Sequence, residues 1–300
     1  MGPTASGKTD LAIALTEVLP CDIISVDSAM VYKTMDIGTA KPEAEVLAKA
    51  PHRLISFLDP TESYSAAQFR SDALREMADI TARQRIPLLV GGTMMYFNIL
   101  SQGLANLPAA NETVRAMLLA EANTFGWPKL HQRLQAVDPK AAQRIKPTDS
   151  QRLQRALEVY EVTGRSLSEW HAEQQQLQLP YHIISLVIAP SERSTLHNRI
   201  ALRFQHMLDN GFEEEVRQLH ARADLNLGLP AMRAVGYRQM WSFLDGELTY
   251  DEMVEKALAA TRQLAKRQLT WLRSWPEVNR LDSLSDDVFA DTLAMLEQLI

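Results

Sequence analysis

Hydrophobic positions in the first hundred residues alternate between helical spacing and short unbroken runs. Residues 7–19 carry apolar side chains at helical spacing, whereas residues 23–26 form a short apolar run typical of a buried strand. The same pair recurs as an amphipathic segment at 65–85, opened by serines, and an apolar run at 87–90 that ends in two glycines. Helices that alternate with short buried strands predict a parallel sheet covered on both faces.

Beyond the first hundred residues the pattern becomes almost entirely helical. Residues 111–171 have the spacing of successive helices, and strand character returns only at 181–188. Three long amphipathic segments follow, at residues 192–208, 212–223 and 251–272. We therefore predict an α/β core formed by residues 1–106 and 181–300, interrupted by an all-helical insertion over residues 107–180.

Composition indicates an ordinary globular protein. Of the 300 residues, 46% are hydrophobic and 23% are charged, which is enough apolar material for a sizeable core. The single cysteine, Cys21, excludes a disulfide framework and a cysteine-built zinc site, and it fits a reducing compartment. No apolar run approaches the roughly 20 residues that cross a bilayer, and no secretory signal pattern opens the chain. We expect a cytoplasmic protein that does not bind membranes.

The opening residues match the phosphate-loop pattern G-x-x-x-x-G-K-[ST]. Glycines let backbone N–H groups turn toward phosphate oxygens, and the helix that follows adds its positive N-terminal end. Lys8 offers a mobile cation and Thr9 a hydroxyl for a magnesium ion. A glycine turn that only caps a helix is the alternative. The pattern predicts a phosphate-binding loop that consists of Gly2, Pro3, Thr4, Ala5, Ser6, Gly7, Lys8 and Thr9.

Two strand ends near this loop carry candidate chemistry. Only Met1 precedes the loop, which ordinarily follows a strand, so we expect the sheet to lack a strand of several residues. The predicted strand at 23–26 ends in Asp27, at the edge where parallel sheets place their sites. Asp27 can serve as a magnesium ligand or a general base, or it can cap a loop. The next strand ends in two glycines and Thr93, which can cap the following helix.

Seven further motifs join this loop. They are SVDS at 25–28, DIGTAKP at 36–42, PHRL at 51–54, YSAAQF at 64–69, GGTMMY at 91–96, RAVGYRQ at 233–239 and TRQLAKRQLTWLR at 261–273. Together they resemble the bacterial tRNA dimethylallyltransferases, also called isopentenyltransferases, along essentially the whole chain. That family transfers a dimethylallyl group from its diphosphate to N6 of adenosine 37, beside the tRNA anticodon. The resemblance implies a P-loop NTPase-like core that binds the prenyl diphosphate with Mg²⁺.

The resemblance also assigns catalytic roles. It implies that Asp27 is the general base that takes a proton from the adenine amine, and that Thr93 holds the amine or the base. Arg203 would contact the diphosphate, with a solvated helix arginine as the alternative. The loop and a magnesium ion at Thr9 would stabilise the leaving diphosphate. Apolar candidates for the prenyl pocket, which could equally be ordinary core, are Met30, Met94, Met95 and Tyr96.

Charge is distributed unevenly, although the net charge of −6 excludes a globally basic nucleic-acid binder. Residues 261–273 carry four cations and no acid, and residues 142–155 carry four cations and one acid. The resemblance implies that both segments contact the anticodon stem-loop, with solvated helix faces as the alternative. The implied tRNA contacts are Asp27, Ser28, Ala29, Met30, Thr93, Arg115, Gln151, Arg152, Leu153, Gln154, Arg155, Arg233, Ala234, Val235, Gly236, Tyr237, Arg238, Lys266, Arg267, Gln268, Leu269, Thr270, Trp271, Leu272 and Arg273.

An adenine stacked in the anticodon loop must be pulled out before its amine can react. We therefore predict a channel through the core, with RNA entering on one side and the prenyl diphosphate on the other. We expect the enzyme to act as a monomer. His52, His131 and His171 have no second ligand at a metal-like spacing, so we predict structural or surface roles for them.

Three other functions share parts of these motifs. A small-molecule P-loop kinase would hold ATP at Lys8 and activate a hydroxyl with Asp27. A prenyltransferase of free adenine nucleotides would use the same loop and acid. The basic segments and the helical insertion disfavour both, because a small acceptor needs neither. An RNA-binding module with a vestigial loop is disfavoured by the intact Lys8, Thr9 and Asp27.

Overall fold

The computed structural model of this chain describes residues 1–103, 107–173 and 179–299. The chain divides into two compact units. Unit 1 comprises Met1–Asn98 and Pro180–Ile300, and unit 2 comprises Ile99–Leu179. The first boundary falls within the helix Met94–Gln102, before the predicted residue 107.

Unit 1 contains all the strands that the structure describes. Its first part consists of α1 (Lys8–Val18), β1 (Cys21–Val26), α2 (Ala44–Lys49), β2 (His52–Arg53), α3 (Ala66–Ala82), β3 (Ile86–Gly91) and the start of α4 (Met94–Gln102). Unit 2 continues from α4 with α5 (Glu112–Phe125), α6 (Trp127–Val137), α7 (Pro139–Arg144), α8 (Ser150–Thr163) and α9 (Leu167–Ala172). The second part of unit 1 consists of β4 (Ser185–Ala189), α10 (Arg193–Asp209), α11 (Phe212–His220), α12 (Tyr237–Leu244), α13 (Tyr250–Arg273), β5 (Val278–Asp282) and α14 (Val288–Leu299).

The strands form two parallel sheets. In the first, β1 lies between β2 and β3, and Val26 at the end of β1 is opposite Gly91 at the end of β3. In the second, β4 pairs with β5. Met1 lies beside β4, where its carbonyl oxygen accepts from Ile188 N at 2.9 Å. Parallel pairing is compatible with the predicted α/β core, and the expectation of a missing strand before the loop stays a prediction.

Helices begin where the sequence supplies caps. Ser65 accepts from the backbone N of Gln68, whose own side chain accepts from Ser65 N, so the two residues close the first turn of α3. Thr249 and Glu252 do the same for α13. Gly7, which precedes α1, has a φ of 87°, a conformation that glycine adopts without strain. Local sequence thus sets the start of the helices that carry the site.

The largest core cluster of unit 1 joins α10–α13 to the segment that follows β1. Phe212 and Tyr237 are fully buried in it, with ring centroids 5.1 Å apart. Glu215 fastens the loop after β1, because its carboxylate accepts from the backbone N of Asp36 at 2.8 Å and from Tyr237 Oη at 2.5 Å. A Cβ at Gly38 would lie 2.2 Å from the Phe212 ring, so only glycine fits there.

Unit 2 has a separate apolar core. Its fully buried residues include Leu118, Leu130, Leu134, Leu153 and Leu157. The predicted run of helices over 111–171 is confirmed as α5–α9. No described helix of either unit is both long and apolar enough to cross a membrane.

Several elements of unit 1 differ from the expectation. The predicted strand at 181–188 begins only at Ser185, and the sequence pattern predicts none of α2, β2, α12, β5 and α14. In β5 only Leu281 is buried, so its sequence lacks a strand pattern and its conformation depends on pairing with β4. Contacts between distant segments, which local periodicity does not report, therefore form this second sheet.

Candidate active site

The glycine-rich loop (residues 2–9) leads into α1 and lines a cavity of about 800 Å³. Ala5 and Gly7 have positive φ values of 61° and 87°, which turns the backbone sharply before the helix. Gly2 lies against the second sheet, where an added Cβ would be 2.5 Å from Ile188 O. The loop is therefore held between a strand and a helix N-terminus, an arrangement that binds anions in phosphate loops.

Lys8 projects into this cavity in an environment that disfavours its charge. Its Nζ donates to Pro3 O at 3.3 Å. Burial, and then the positive charge of Arg203, lower the pKa of Lys8 to about 8, although the carboxylates of Asp27 and Asp10 oppose the shift. A bound anion would restore the ordinary pKa, so the cavity favours a negatively charged ligand.

Arg203 reaches the same cavity from α10. Its guanidinium donates to Thr4 Oγ1, which places a second cation against the glycine-rich loop. Burial lowers the pKa of Arg203, against the attraction of the Asp27 carboxylate. Within the described part of the chain, neither Lys8 nor Arg203 forms an ion pair with a carboxylate at 4.0 Å or less. Two partly buried cations without such a partner form a site for a multiply charged anion.

Thr9 is the candidate magnesium ligand, and it lines the cavity beside Lys8. Among the described residues, no group of three or more His, Cys, Asp or Glu side chains could hold a metal ion. Mg²⁺ commonly keeps several waters and takes one or two protein ligands together with substrate phosphates. The residues present therefore fit an ion that would be held by Thr9 together with the phosphates of a ligand.

The three histidines lie in different surroundings. His52 Nδ1 lies 2.8 Å from Ala50 O, and the residue also lines the larger cavity, so its expected structural role stays a prediction. His131 Nε2 lies 2.9 Å from Ile145 O. His171 is exposed on α9.

Asp27 and Thr93 lie at the same edge of the first sheet, because β1 and β3 run parallel and end opposite each other. Asp27 Oδ1 accepts from Ala29 N at 2.8 Å and from Met30 N at 3.3 Å. Thr93 Oγ1 accepts from Ser28 N at 3.1 Å. The bonds that the described residues make to the Asp27 carboxylate all go to Oδ1. Oδ2 is therefore the oxygen that can take a proton from a ligand.

A second cavity, of about 470 Å³, adjoins the first. Residues common to both linings are Thr4, Asp27, Thr39, Arg203, Leu264 and Gln268. The smaller cavity adds Thr93, Arg267 and Trp271, so basic and aromatic side chains line it. Asp27 stands where this cavity meets the one that contains the glycine-rich loop. The two cavities are candidates for the predicted channel.

The four candidates for the prenyl pocket lie in three different places in the structure. Met30 lines the larger cavity, and Met94 and Met95 line the smaller one. Tyr96 is buried and stacks on Phe69 with ring centroids 4.3 Å apart, so its ring belongs to the core.

Basic side chains in the C-terminal half of α13 face solvent. They are Arg262, Lys266, Arg267 and Arg273. None forms an ion pair with a carboxylate in the part of the chain that the structure describes. Trp271, on the same helix, is 42% exposed and lines the smaller cavity. Arg233 and Arg238 are also exposed, on either side of buried Gly236. This surface (the α13 basic surface) suits a polyanion that reaches toward Asp27.

Three residues of the expected set of tRNA contacts, Leu153, Tyr237 and Leu272, are at most 1% exposed. Tyr237 nevertheless lines the smaller cavity, and the expected set stays a prediction. Gln268 is 8% exposed and bonds to the glycine-rich loop, a function that no local sequence signal indicates. Arg115 joins the carboxylate of buried Glu158 in unit 2.

Known proteins resemble this chain along nearly its whole length. The IPP transferase family matches residues 30–275. The tRNA isopentenylpyrophosphate transferase of Bacillus halodurans is 36% identical, with 99% of this chain and 94% of that chain covered and a TM-score of 0.72. The tRNA delta(2)-isopentenylpyrophosphate transferase of Staphylococcus epidermidis is 33% identical, with 100% and 98% covered and a TM-score of 0.72.

A eukaryotic dimethylallyltransferase acting on tRNA is 26% identical, with 98% of this chain and 76% of that chain covered and a TM-score of 0.82. The family match spans well over half of the 300 residues, and the two bacterial proteins exceed 30% identity across nearly the entire chain. This chain therefore belongs to the IPP transferase family.

Proposed function

We propose that this protein transfers a dimethylallyl group from dimethylallyl diphosphate to N6 of adenosine 37 in tRNA, giving N6-dimethylallyladenosine. The meeting of the two cavities at Asp27 and Arg203 carries the proposal, because it joins an anion site to a basic, aromatic-lined site beside one carboxylate. Membership of the IPP transferase family supports it, and so does the likeness to an enzyme acting on tRNA.

The larger cavity holds the donor. The glycine-rich loop acts as a P-loop whose amides, with Lys8 and Arg203, neutralise the charge that grows on the departing diphosphate. Mg²⁺, held by Thr9 and the diphosphate, adds further charge stabilisation when it is bound. The charge of Lys8 responds to the ligand, because its lowered pKa rises again when the anion binds and the amine then stays protonated.

The smaller cavity holds the acceptor adenine. Its N6 attacks C1 of the dimethylallyl group, the bond between C1 and the diphosphate oxygen breaks, and the electron pair leaves with the diphosphate. The proton lost from N6 passes to Asp27 Oδ2, since the backbone amides of Ala29 and Met30 hold Oδ1. Thr93, anchored to Ser28 N, fixes the amine against this carboxylate.

The α13 basic surface binds the RNA backbone on the side of the acceptor cavity. Lys266 and Arg267 are exposed without a carboxylate partner in the described chain, and Arg267 lines the acceptor cavity. Unit 2 acts as the helical insertion that contacts the anticodon stem-loop. Among its candidate arginines, Arg152 is more exposed, at 74% of its side chain, than Arg115 at 39% and Arg155 at 29%.

Substitution of the base tests the mechanism. We expect Asp27→Asn to slow prenylation of unmodified tRNA by about 10²- to 10⁴-fold, the usual contribution of a general base, and to leave tRNA affinity within about twofold of wild type. Digestion of the RNA and mass analysis of its nucleosides give the rate. Asp251→Asn, at an exposed position on α13, is the matched control and should retain the wild-type rate. A wild-type rate for Asp27→Asn would overturn the assignment of the base.

A further inference from the structure

Gln268 has an unusual place among the residues of α13. Its neighbours Lys266 and Arg267 are exposed, whereas Gln268 is 8% exposed and points into the protein. Both ends of its carboxamide are used: Oε1 accepts from Thr4 N at 2.9 Å, and Nε2 donates to Gly92 O at 2.9 Å. A buried carboxamide with this pair of bonds joins two backbone segments that have no strand pairing between them.

The two segments belong to the two halves of the proposed reaction. Thr4 lies in the glycine-rich loop and its hydroxyl accepts from Arg203. Gly92 immediately precedes Thr93, whose hydroxyl accepts from the backbone N of the residue after Asp27. Gln268 itself lines both cavities. A continuous set of contacts therefore runs from the donor side to the base through a single side chain.

Gln268 is also tightly packed against Gly92. A Cβ added at Gly92 would lie 2.3 Å from Gln268 Nε2 and 3.2 Å from Gly2 O. The absence of a side chain at Gly92 thus lets the carboxamide reach the backbone. Glycine at this position and glutamine at 268 form a matched pair.

We infer that Gln268 is a positioning residue that fixes the distance between the diphosphate loop and the Asp27–Thr93 edge, so that α13, which meets the RNA, also aligns the donor with the base. The inference rests on the proposed function for its catalytic consequence. A glutamate at 268 could still accept from Thr4 N, but its carboxylate could not donate to Gly92 O. A methionine keeps the volume of the side chain and makes neither bond.

Separate measurements of turnover and RNA affinity distinguish positioning from RNA contact. We expect Gln268→Met to lower kcat about 10- to 100-fold, the scale of a small misplacement of reacting groups, and to leave the Kd for tRNA within about twofold. Gln268→Glu should fall between Gln268→Met and wild type. The matched control is Gln218→Met, at an exposed position on α11 that lines neither cavity, which should leave both values unchanged. A weakened Kd with unchanged kcat would make Gln268 an RNA contact and overturn the inference.

Gly92→Ala provides a second route to the same contact. Because its Cβ displaces the carboxamide, the variant should lower kcat like Gln268→Met, and the double variant should be no slower than the slower single variant. Multiplied losses in the double variant would mean that the residues act independently, and would contradict the matched pair.

Hydrogen exchange tests the hydrogen bond between Gln268 and the glycine-rich loop without a measurement of enzyme activity. Exchange of the backbone amides in residues 2–9 should be at least about tenfold faster in Gln268→Met than in wild type, with unchanged exchange in unit 2. Equal exchange of the loop in both proteins would overturn the inference. A wild-type protein that makes no prenylated adenosine would instead overturn the proposed function. The exchange comparison would still show whether Gln268 holds the glycine-rich loop in place.

Discussion

Two segments of this protein, residues 261–273 and 142–155, are rich in basic residues, and the structure uses the charge of some of these residues in different ways. On α13, Lys266 and Arg267 are exposed and have no carboxylate partner within the described chain. On α8 in unit 2, Arg155 donates to Glu158 Oε2 at 2.9 Å, and Arg115 from α5 donates to Glu158 Oε1 at 3.0 Å. Both groups of cations lie in polar helical sequence. Lys266 and Arg267 are available to a polyanion, whereas Arg115 and Arg155 form ion pairs with a buried carboxylate of unit 2.

Glu158 explains the difference. Its side chain is 0% exposed, and Asn111 N donates to it at 2.6 Å in addition to the two arginines. Burial alone would raise the pKa of Glu158, but the bonds from Asn111 N, Arg155 and Arg115 outweigh it and the pKa is lowered. A count of cations therefore does not identify a nucleic-acid surface until the buried acids that use them have been located.

The largest effect that we expect concerns this buried acid. Glu158→Gln should destabilise unit 2 by about 3 kcal/mol, the lower end for a broken buried ion pair, because both guanidiniums still touch solvent. Hydrogen exchange of α5 and α8 measures the loss. Since the folded pKa lies below the ordinary 4.5, wild-type unit 2 keeps this stabilisation above pH 4.5 and loses it at lower pH.

Glu161→Gln is the control for that variant, since Glu161 pairs with half-exposed Arg133. Its cost should stay below about 1 kcal/mol. Equal losses of stability in Glu158→Gln and Glu161→Gln would show that the burial of Glu158 does not make its ion pairs more stabilising.

The next effect concerns the free cations of α13. Lys266→Gln combined with Arg267→Gln should weaken tRNA binding about tenfold and reduce the slope of log Kd against log salt by about 1.4 to 1.8. Filter binding across a salt series measures both quantities. Lys256→Gln, an exposed position nearer the start of α13, should leave them unchanged. An unaltered slope in the double variant would remove α13 from the RNA interface.

Lys8 is a third kind of cation, half-buried and without a carboxylate partner in the described chain. Because its pKa is lowered to about 8, donor binding should be strongest below pH 8 and weaken by up to about tenfold per pH unit above it, as the free amine loses its proton. Lys8→Arg should abolish this dependence, since a guanidinium stays charged. The KM for dimethylallyl diphosphate between pH 7 and 9.5 gives the profile; a flat wild-type profile would contradict the assignment.

The smallest effect concerns Arg152 in unit 2, which pairs with the partly exposed Asp149, whereas Arg115 and Arg155 pair with the buried Glu158. Arg152→Gln should weaken tRNA binding about two- to threefold and lower the salt slope by about 0.7 to 0.9, as for one phosphate contact. Its side chain is 74% exposed and its nearest acid, Asp149, lies 3.5 Å away. Lys129→Gln, also exposed in unit 2, is the control. If Lys129→Gln weakened tRNA binding more than Arg152→Gln, the RNA would contact another face of unit 2.

Local signals in the sequence predict much of this fold. The alternation of helical and strand patterns correctly predicts α1, β1, α3 and β3, and the ends of two parallel strands place Asp27 and Thr93 at one edge. The glycine-rich loop is equally visible, because its pattern is contiguous. These features depend on neighbours within a few residues.

Features that depend on distant partners are absent from the sequence pattern. Thr4 and Gln268 are 264 positions apart, and no local rule joins a loop amide to a glutamine in a basic helix. Likewise, Arg115 and Arg155 look available until Glu158 is found buried between them. Which polar groups are buried together is decided by tertiary packing, and only coordinates report it.

We propose that the adjoining cavities bring a prenyl diphosphate and an adenine of tRNA together beside Asp27. The most direct measurement incubates the protein, unmodified tRNA and Mg²⁺ with either dimethylallyl diphosphate or ATP, and maps the modified nucleotide by mass analysis of tRNA fragments. We expect one five-carbon unit on adenosine 37 with dimethylallyl diphosphate, and no product with ATP. Phosphoryl transfer from ATP to an acceptor, with no prenylated adenosine, would contradict the claim.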